Sequence, residues 1–167
     1  MLAYYQGKQL RQWIESTLET RFGLTINRDK TKVVRVSAGE SLDFLGFTMR
    51  YERSVFSGCA RYLHTGPSRK AMARIRDRLR ELTETQNCYL GLPQVVRSVN
   101  SVLRGWSAYF GYGHPRRAFA HVNWFAYERV AIHARRRSQR GCRPPEGRTI
   151  YAHLYEKLGL QKLCSLK

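Results

Sequence analysis

From Ser68 to Gly159 the apolar residues recur three and four positions apart in successive blocks, each closed by glycine or proline. A chain patterned this way can hide its apolar side chains only by packing helices against one another. In the first block Ser68 is a good N-cap, followed by Met72, Ile75, Leu79 and Leu82. The second opens at Gly91-Leu92-Pro93, with proline in the first turn, and continues as Val96, Val99, Leu103, Trp106 and Phe110. Gly111, Gly113 and Pro115 end it. A third helix is expected over Arg116–Arg137, with Phe119, Val122, Phe125, Ala126 and Ile132 inward. Residues 140–148 are a loop, because Pro144-Pro145 cannot continue a helix. A last short helix, Thr149 to Leu158, packs Ile150, Leu154 and Leu158 and stops at Gly159.

The first third reads differently. Leu10 to Phe22 is amphipathic, with Leu10, Trp13 or Ile14, Leu18 and Phe22 at helical spacing, and Gly23 stands where a left-handed cap belongs. Val33 to Val36 is a short β-rich run, Phe44 to Tyr51 a second and Ala60 to Leu63 a third. Ser37 to Glu40 has the length and the glycine for a hairpin loop between the first two. Phe44, Leu45 and Phe47 are expected to pack, and Gly46 to let another backbone approach. The expected fold class is therefore α+β: a small antiparallel sheet with one helix at the N-terminus, followed by a mainly α-helical bundle.

Charge narrows the function. The chain carries 30 Lys and Arg against 12 Asp and Glu, a formal net charge of +18. Residues 1–60 contribute +3 and residues 61–167 contribute +15. The excess is mostly arginine, whose planar multi-donor fork suits phosphate and stacks on bases. A polyanion, most often nucleic acid, is the expected partner. The sharpest candidate surface is Arg69, Lys70, Arg74, Arg76, Arg78 and Arg80, opposite the apolar stripe, which Asp77, Glu81 and Glu84 cannot neutralise. Arg135, Arg136, Arg137, Arg140 and Arg143 form a second cluster, of which helix capping accounts for one or two members. Arg97, Arg104, Arg116 and Arg117 are further candidates, and Tyr109 and Tyr112 are free enough to stack on bases or bond phosphates.

Other chemistries find little support. Cys59, Cys88, Cys142 and Cys164 form no closely spaced pair for zinc, and in a chain with this much core they read as reduced thiols. No metal site is expected. His64, His114, His121, His133 and His153 are dispersed; His121-Val122-Asn123 suggests an HNH-type nuclease, but without the further ligands such a module needs. There is no Walker-type loop. No apolar run approaches the ~20 residues that span a bilayer, and no secretory segment opens the chain, so a cytoplasmic, bacterial-type setting and no membrane partner are expected.

Three segments carry a resemblance. Gly23 to Lys32, with Lys30-Thr31, and Asp43-Phe44-Leu45-Gly46-Phe47 resemble the end of the palm in reverse transcriptases encoded by group II introns. Leu103 to Phe110 resembles the heart of the maturase-specific domain, also called the thumb or domain X. Phe119 to Phe125 and the tail Leu154 to Leu160 are similar to the same family. The resemblance implies a palm remnant over residues 1–64 and a thumb/maturase domain over 65–167. It implies binding of structured group II intron RNA to assist splicing, and a hold on template–primer. Lys30 matches the palm lysine thought to help the pyrophosphate leave, a role that needs metal-binding carboxylates, and no Asp-Asp pair occurs in the chain. No catalytic residue is therefore assigned, no cofactor is expected, and Mg2+ would serve the intact polymerase or the ribozyme. The alternative is a non-catalytic or cropped portion of an active RNA-directed DNA polymerase, with a separate palm and fingers polypeptide as partner. DNA binding, self-association through the sheet edge and a remnant without function complete the readings.

Overall fold

A computed structural model of the chain describes residues 7–27, 34–36, 39–54, 60–137, 147 and 149–164. It divides into two compact units, Met1–Val34 and Arg35–Lys167.

In the first unit, α1 (Gly7–Phe22) holds an Arg11–Glu15 ion pair one turn apart at 2.7 Å. Gly23 takes φ +63°, the expected left-handed cap, and the Leu24 N–H donates to the Leu18 carbonyl at 3.1 Å. Trp13, Phe22 and Leu24 are all more than half exposed.

The second unit is α+β. Strands β1 (Leu42–Phe44), β2 (Phe47–Arg53) and β3 (Arg61–Pro67) form an antiparallel sheet in that order. Two sequence expectations fail here. Val34 to Val36 is not a strand, Val36 lying in a 3-10 turn, and Val33, Ser37 and Ala38 fall outside the described residues. The hairpin instead turns within the Phe44–Tyr51 run, where Phe44 pairs with Phe47 and only Leu45-Gly46 intervene, at φ +48° and +83°. Two consecutive positive φ angles make the tight turn whose twist matches its flanking strands. Hydrophobicity alone cannot reveal such a reversal, because the turn residues are themselves apolar. The third strand runs on to Pro67, past the expected Leu63.

The helices follow the sequence pattern closely. The first, α2 (Arg69–Leu82), is capped by Ser68, whose Oγ accepts from the Ala71 N–H at 3.2 Å. A 3-10 turn (Thr85–Asn87) leads to α3 (Leu92–Phe110), where the Gln94 side chain accepts from the Gly91 N–H at 3.0 Å. Next, α4 (Arg116–Arg136) packs against both. A short α5 (Ile150–Ala152), capped by Thr149, widens into a π turn over His153–Lys157. The core joins Ile75 and Leu79 of α2, Val95, Val99 and Leu103 of α3, Val122 and Val130 of α4, and Leu154, all nearly or fully buried.

The sheet meets this bundle at the Leu45-Gly46 turn and again where Thr65 bonds His114. Phe47 packs against Phe110 (ring centroids 5.0 Å) and Tyr109 (5.6 Å), and the Ser68 N–H donates to the Gly46 carbonyl at 2.7 Å. Contrary to expectation, Phe44 and Leu45 are exposed at 57% and 68%. Gly46 does admit another backbone, that of Ser68 at its carbonyl, and a Cβ there would also meet the Phe110 ring at 3.3 Å. Two asparagines strap the C-terminal segment across the bundle. Asn100 donates to the Gly159 carbonyl and accepts from the Gln161 N–H, both at 2.8 Å. Asn123 does the same for Leu163, at 2.9 and 2.8 Å. Each primary amide imitates a backbone peptide, so an extended segment is held without a strand partner.

Candidate nucleic-acid interface

The six cations of α2 are all exposed but do not form one surface. With Ala71, Ile75 and Leu79 turned inward, Arg69, Arg76 and Arg80 line one side of the buried arc and Lys70, Arg74 and Arg78 the other, by helical spacing. Partners separate them further. Arg78 pairs with Glu81 at 2.7 Å, and Arg80 pairs with Asp77 and lies 5.3 Å above the Phe125 ring. Arg76 folds back, its Nε donating to the Met72 carbonyl at 3.0 Å. Arg69, Lys70 and Arg74 make no ion pair among the described residues. The sequence treated the six as equivalent because it shows spacing and not the neighbours each guanidinium meets.

Arg97 and Arg104 are exposed on α3, seven residues apart and so on one side. Arg116 and Arg117 stand exposed in the first turn of α4, and Arg135, Arg136 and Arg137 at its exposed end. Tyr112 is 78% exposed. Tyr109 is more constrained: its hydroxyl donates to the Leu45 carbonyl at 2.9 Å, tying the hairpin tip to α3. Lys30, Arg140 and Arg143 lie outside the described residues, as do Cys59 and Cys142. Cys88 and Cys164 are free thiols.

One arrangement is visible only in three dimensions. The first turns of α2 and α4 each carry two cations and no acid, Arg69-Lys70 and Arg116-Arg117. Both helices start at the end of β3: α2 follows Pro67 after one residue, and α4 begins two residues after His114. The His114 N–H donates to the Thr65 carbonyl at 2.7 Å, and His114 Nδ1 faces the Thr65 N–H at 3.4 Å. A cation in a first helical turn is disfavoured by the helix dipole, and unbonded N–H groups add further positive potential. Pro115 offers no side-chain cap to α4. The end of β3 is thus a focus of positive charge that folding itself does not favour. At the C-terminus of α4 the reverse holds, because there the dipole welcomes Arg135, Arg136 and Arg137.

The histidines complete this junction, and dispersed positions in the sequence gave no signal of it. His64 of β3 stacks on His114 (centroids 5.3 Å, 22° between planes), and Tyr62 lies 5.1 Å from His114. Burial pushes the His64 imidazole below its ordinary pKa; His114, Arg50 and Arg117 push the same way, against Glu52. That Arg117 is felt at His64 fits its place at the junction. Farther off, His133 is fully buried between α4 and the α2–α3 connection. Neither of its ring nitrogens makes a well-formed hydrogen bond, although the backbone of Leu90 and of Thr83 lies nearby. Among the described residues no group of three or more His, Cys, Asp or Glu could hold a metal ion, and no helix is long and apolar enough to cross a membrane.

The fold and this surface define a class: a basic helical bundle carrying a small sheet, with its excess charge presented at helix ends and on outer helix faces. Residues 72–149 match the family model of the group II intron, maturase-specific domain, which supports a maturase-type domain over that part of the chain. No match was found among curated proteins.

Proposed function

We propose that this chain binds structured group II intron RNA and helps it hold the splicing-active fold, and that it contributes to gripping template–primer in reverse transcription. The observation that carries this reading is the junction at the end of β3, where Arg69, Lys70, Arg116 and Arg117 sit against two helix dipoles with no acid in either first turn. A placement that costs folding energy fits a polyanionic partner. Folded RNA is gripped through backbone and 2′-hydroxyls, and contacts made only by the compact RNA favour that compact state. Arg74, Arg97, Arg104 and Tyr112 extend the grip, with the cations at the end of α4 and in the segment after it as secondary contacts. In this reading residues 1–64 are the end of a palm and 65–167 the thumb/maturase domain. Lys30 acts only with carboxylates supplied by another polypeptide, so the chain alone does not polymerise DNA, and Mg2+ serves the ribozyme or the assembled polymerase.

The test is self-splicing of a group II intron at limiting Mg2+, with and without the protein. Faster splicing and retention of the intron RNA over duplex DNA are expected. Unchanged splicing together with equal affinity for any polyanion would refute the reading. A second reading, a subunit of an RNA-directed DNA polymerase, is favoured by the exposed Trp13, Phe22 and Leu24 on and just after α1, large apolar side chains suited to burial by a partner polypeptide. Copurification of a chain bearing paired aspartates would support it.

A further inference from the structure

α4 and the C-terminal segment form an open cleft of about 300 Å³ lined by Asn123, Trp124, Tyr127, Tyr151, Tyr155 and Lys162. That volume is at the lower end of the roughly 300–1,000 Å³ usual for small-ligand sites. Four of these six residues are aromatic. Tyr151 and Tyr155 lie 4.5 Å apart by ring centroid, Tyr127 and Tyr151 5.4 Å, and Tyr127 and Tyr155 stack at 6.4 Å with 21° between planes. Tyr127 and Tyr155 serve the fold, packing on the core. Tyr151, 46% exposed, is half free of it, and Trp124 is 62% exposed and takes no part in the tyrosine stack. A bare indole on the outer face of a helix adds little to folding.

The cleft is also braced. The paired Asn123–Leu163 hydrogen bonds fix one rim, and Tyr155 sits in the π turn His153–Lys157, a widened form frequent at functional sites. Burial and the nearby Tyr151 and Tyr127 push the Tyr155 hydroxyl up to about 12, so it remains a neutral donor and acceptor. Among the described residues no acid lines the cleft, and Lys162, exposed at its edge, is the one cation lining it.

We propose that this cleft takes one unpaired nucleobase of the bound RNA, stacked on Trp124 and the tyrosines, with Lys162 meeting the adjoining phosphate. Flat aromatic walls without acid, a cation at the edge and a chain of net charge +18 suit a base on a polyanionic strand. The inference rests on the RNA-binding reading above, and it adds a recognition element for single-stranded positions that the helix-end cations lack.

The experiment uses the full chain with two probes, a short oligoadenylate and a blunt RNA duplex, and the variants Trp124→Ala, Trp124→Phe and Tyr151→Ala. Trp124→Ala and Tyr151→Ala should each weaken oligoadenylate binding roughly tenfold. Duplex affinity and the salt slope should hold in every variant and the melting temperature in the Trp124 variants, and Trp124→Phe should retain most of the affinity. An oligomer of abasic residues should bind wild type and variants alike. Unchanged oligoadenylate affinity in Trp124→Ala, or an equal loss on both probes, would overturn the cleft assignment and leave the RNA-binding reading standing. Failure of the wild type to bind either probe would remove both.

Discussion

Changing Arg69, Lys70, Arg116 and Arg117 together to glutamine should move fold stability and RNA affinity in opposite directions. All four are exposed in first helical turns that hold no acid. A cation so placed costs on the order of 0.3 kcal/mol at an exposed site, so removing four should stabilise the fold by about 1 kcal/mol. Glutamine has nearly the helix propensity of arginine and lysine, so little else changes. For a chain of this size the melting temperature should rise by about 3 °C. Binding should respond the other way. Each phosphate contact contributes roughly 0.7 to 0.9 to the slope of log affinity against log salt. Losing four should therefore flatten that slope by about 3. Thermal melting at low salt and an RNA titration series from low to moderate salt measure the two effects. A melting temperature that falls would mean these cations make stabilising contacts within the protein. An unchanged salt slope would mean that RNA does not touch the junction. Either result refutes the argument that these charges sit at a folding cost because a polyanion needs them.

Further outcomes follow from other sites. Burial holds the His133 ring neutral below its ordinary value of 6.5, and His64 is shifted the same way. As pH falls through about 6.5 the unfolded chain takes up protons that the native state resists, so stability should be full above that pH and decline below it. His133→Leu should flatten the decline, and melting temperatures at pH 5 and pH 8 would show it; equal pH dependence in variant and wild type would sink the assignment. Leu45→Asn should raise stability by about 0.5–1 kcal/mol in thermal melts, because asparagine tolerates the positive φ at this exposed turn and Asn-Gly is the favoured pair for it. Asn100→Ala should cost about 1–3 kcal/mol by stranding the Gln161 N–H and the Gly159 carbonyl. Hydrogen exchange should then quicken at Gln161 in particular, and unaltered protection there would show that the strap is held elsewhere.

The helical part of this protein was legible before folding. Ser68 as cap, Ile75 and Leu79 inward on α2, Val99 and Leu103 on α3, Val122 on α4, and Gly23 and Gly159 as helix-ending glycines at positive φ all follow from local rules. Helix periodicity, capping and left-handed glycine are properties of a few adjacent residues, and each can be read in a short window. The α+β class and the concentration of charge in the second part of the chain were equally plain.

What escaped the sequence depends on partners far along the chain. The Leu45-Gly46 turn is closed by strand pairing and held by Tyr109, 64 residues on. The meeting of His64 with His114, and of two cationic helix starts at the end of β3, follows from a backbone bond between Thr65 and His114. Which arginines stay unpaired was settled by neighbours such as Asp77, Glu81 and Phe125, and the aromatic cleft exists because Asn123 straps Leu163 across α4. Local sequence sets the conformation of each element, whereas the juxtaposition of distant side chains is fixed by which pairings bury and satisfy most groups at once, and only the folded chain resolves that competition.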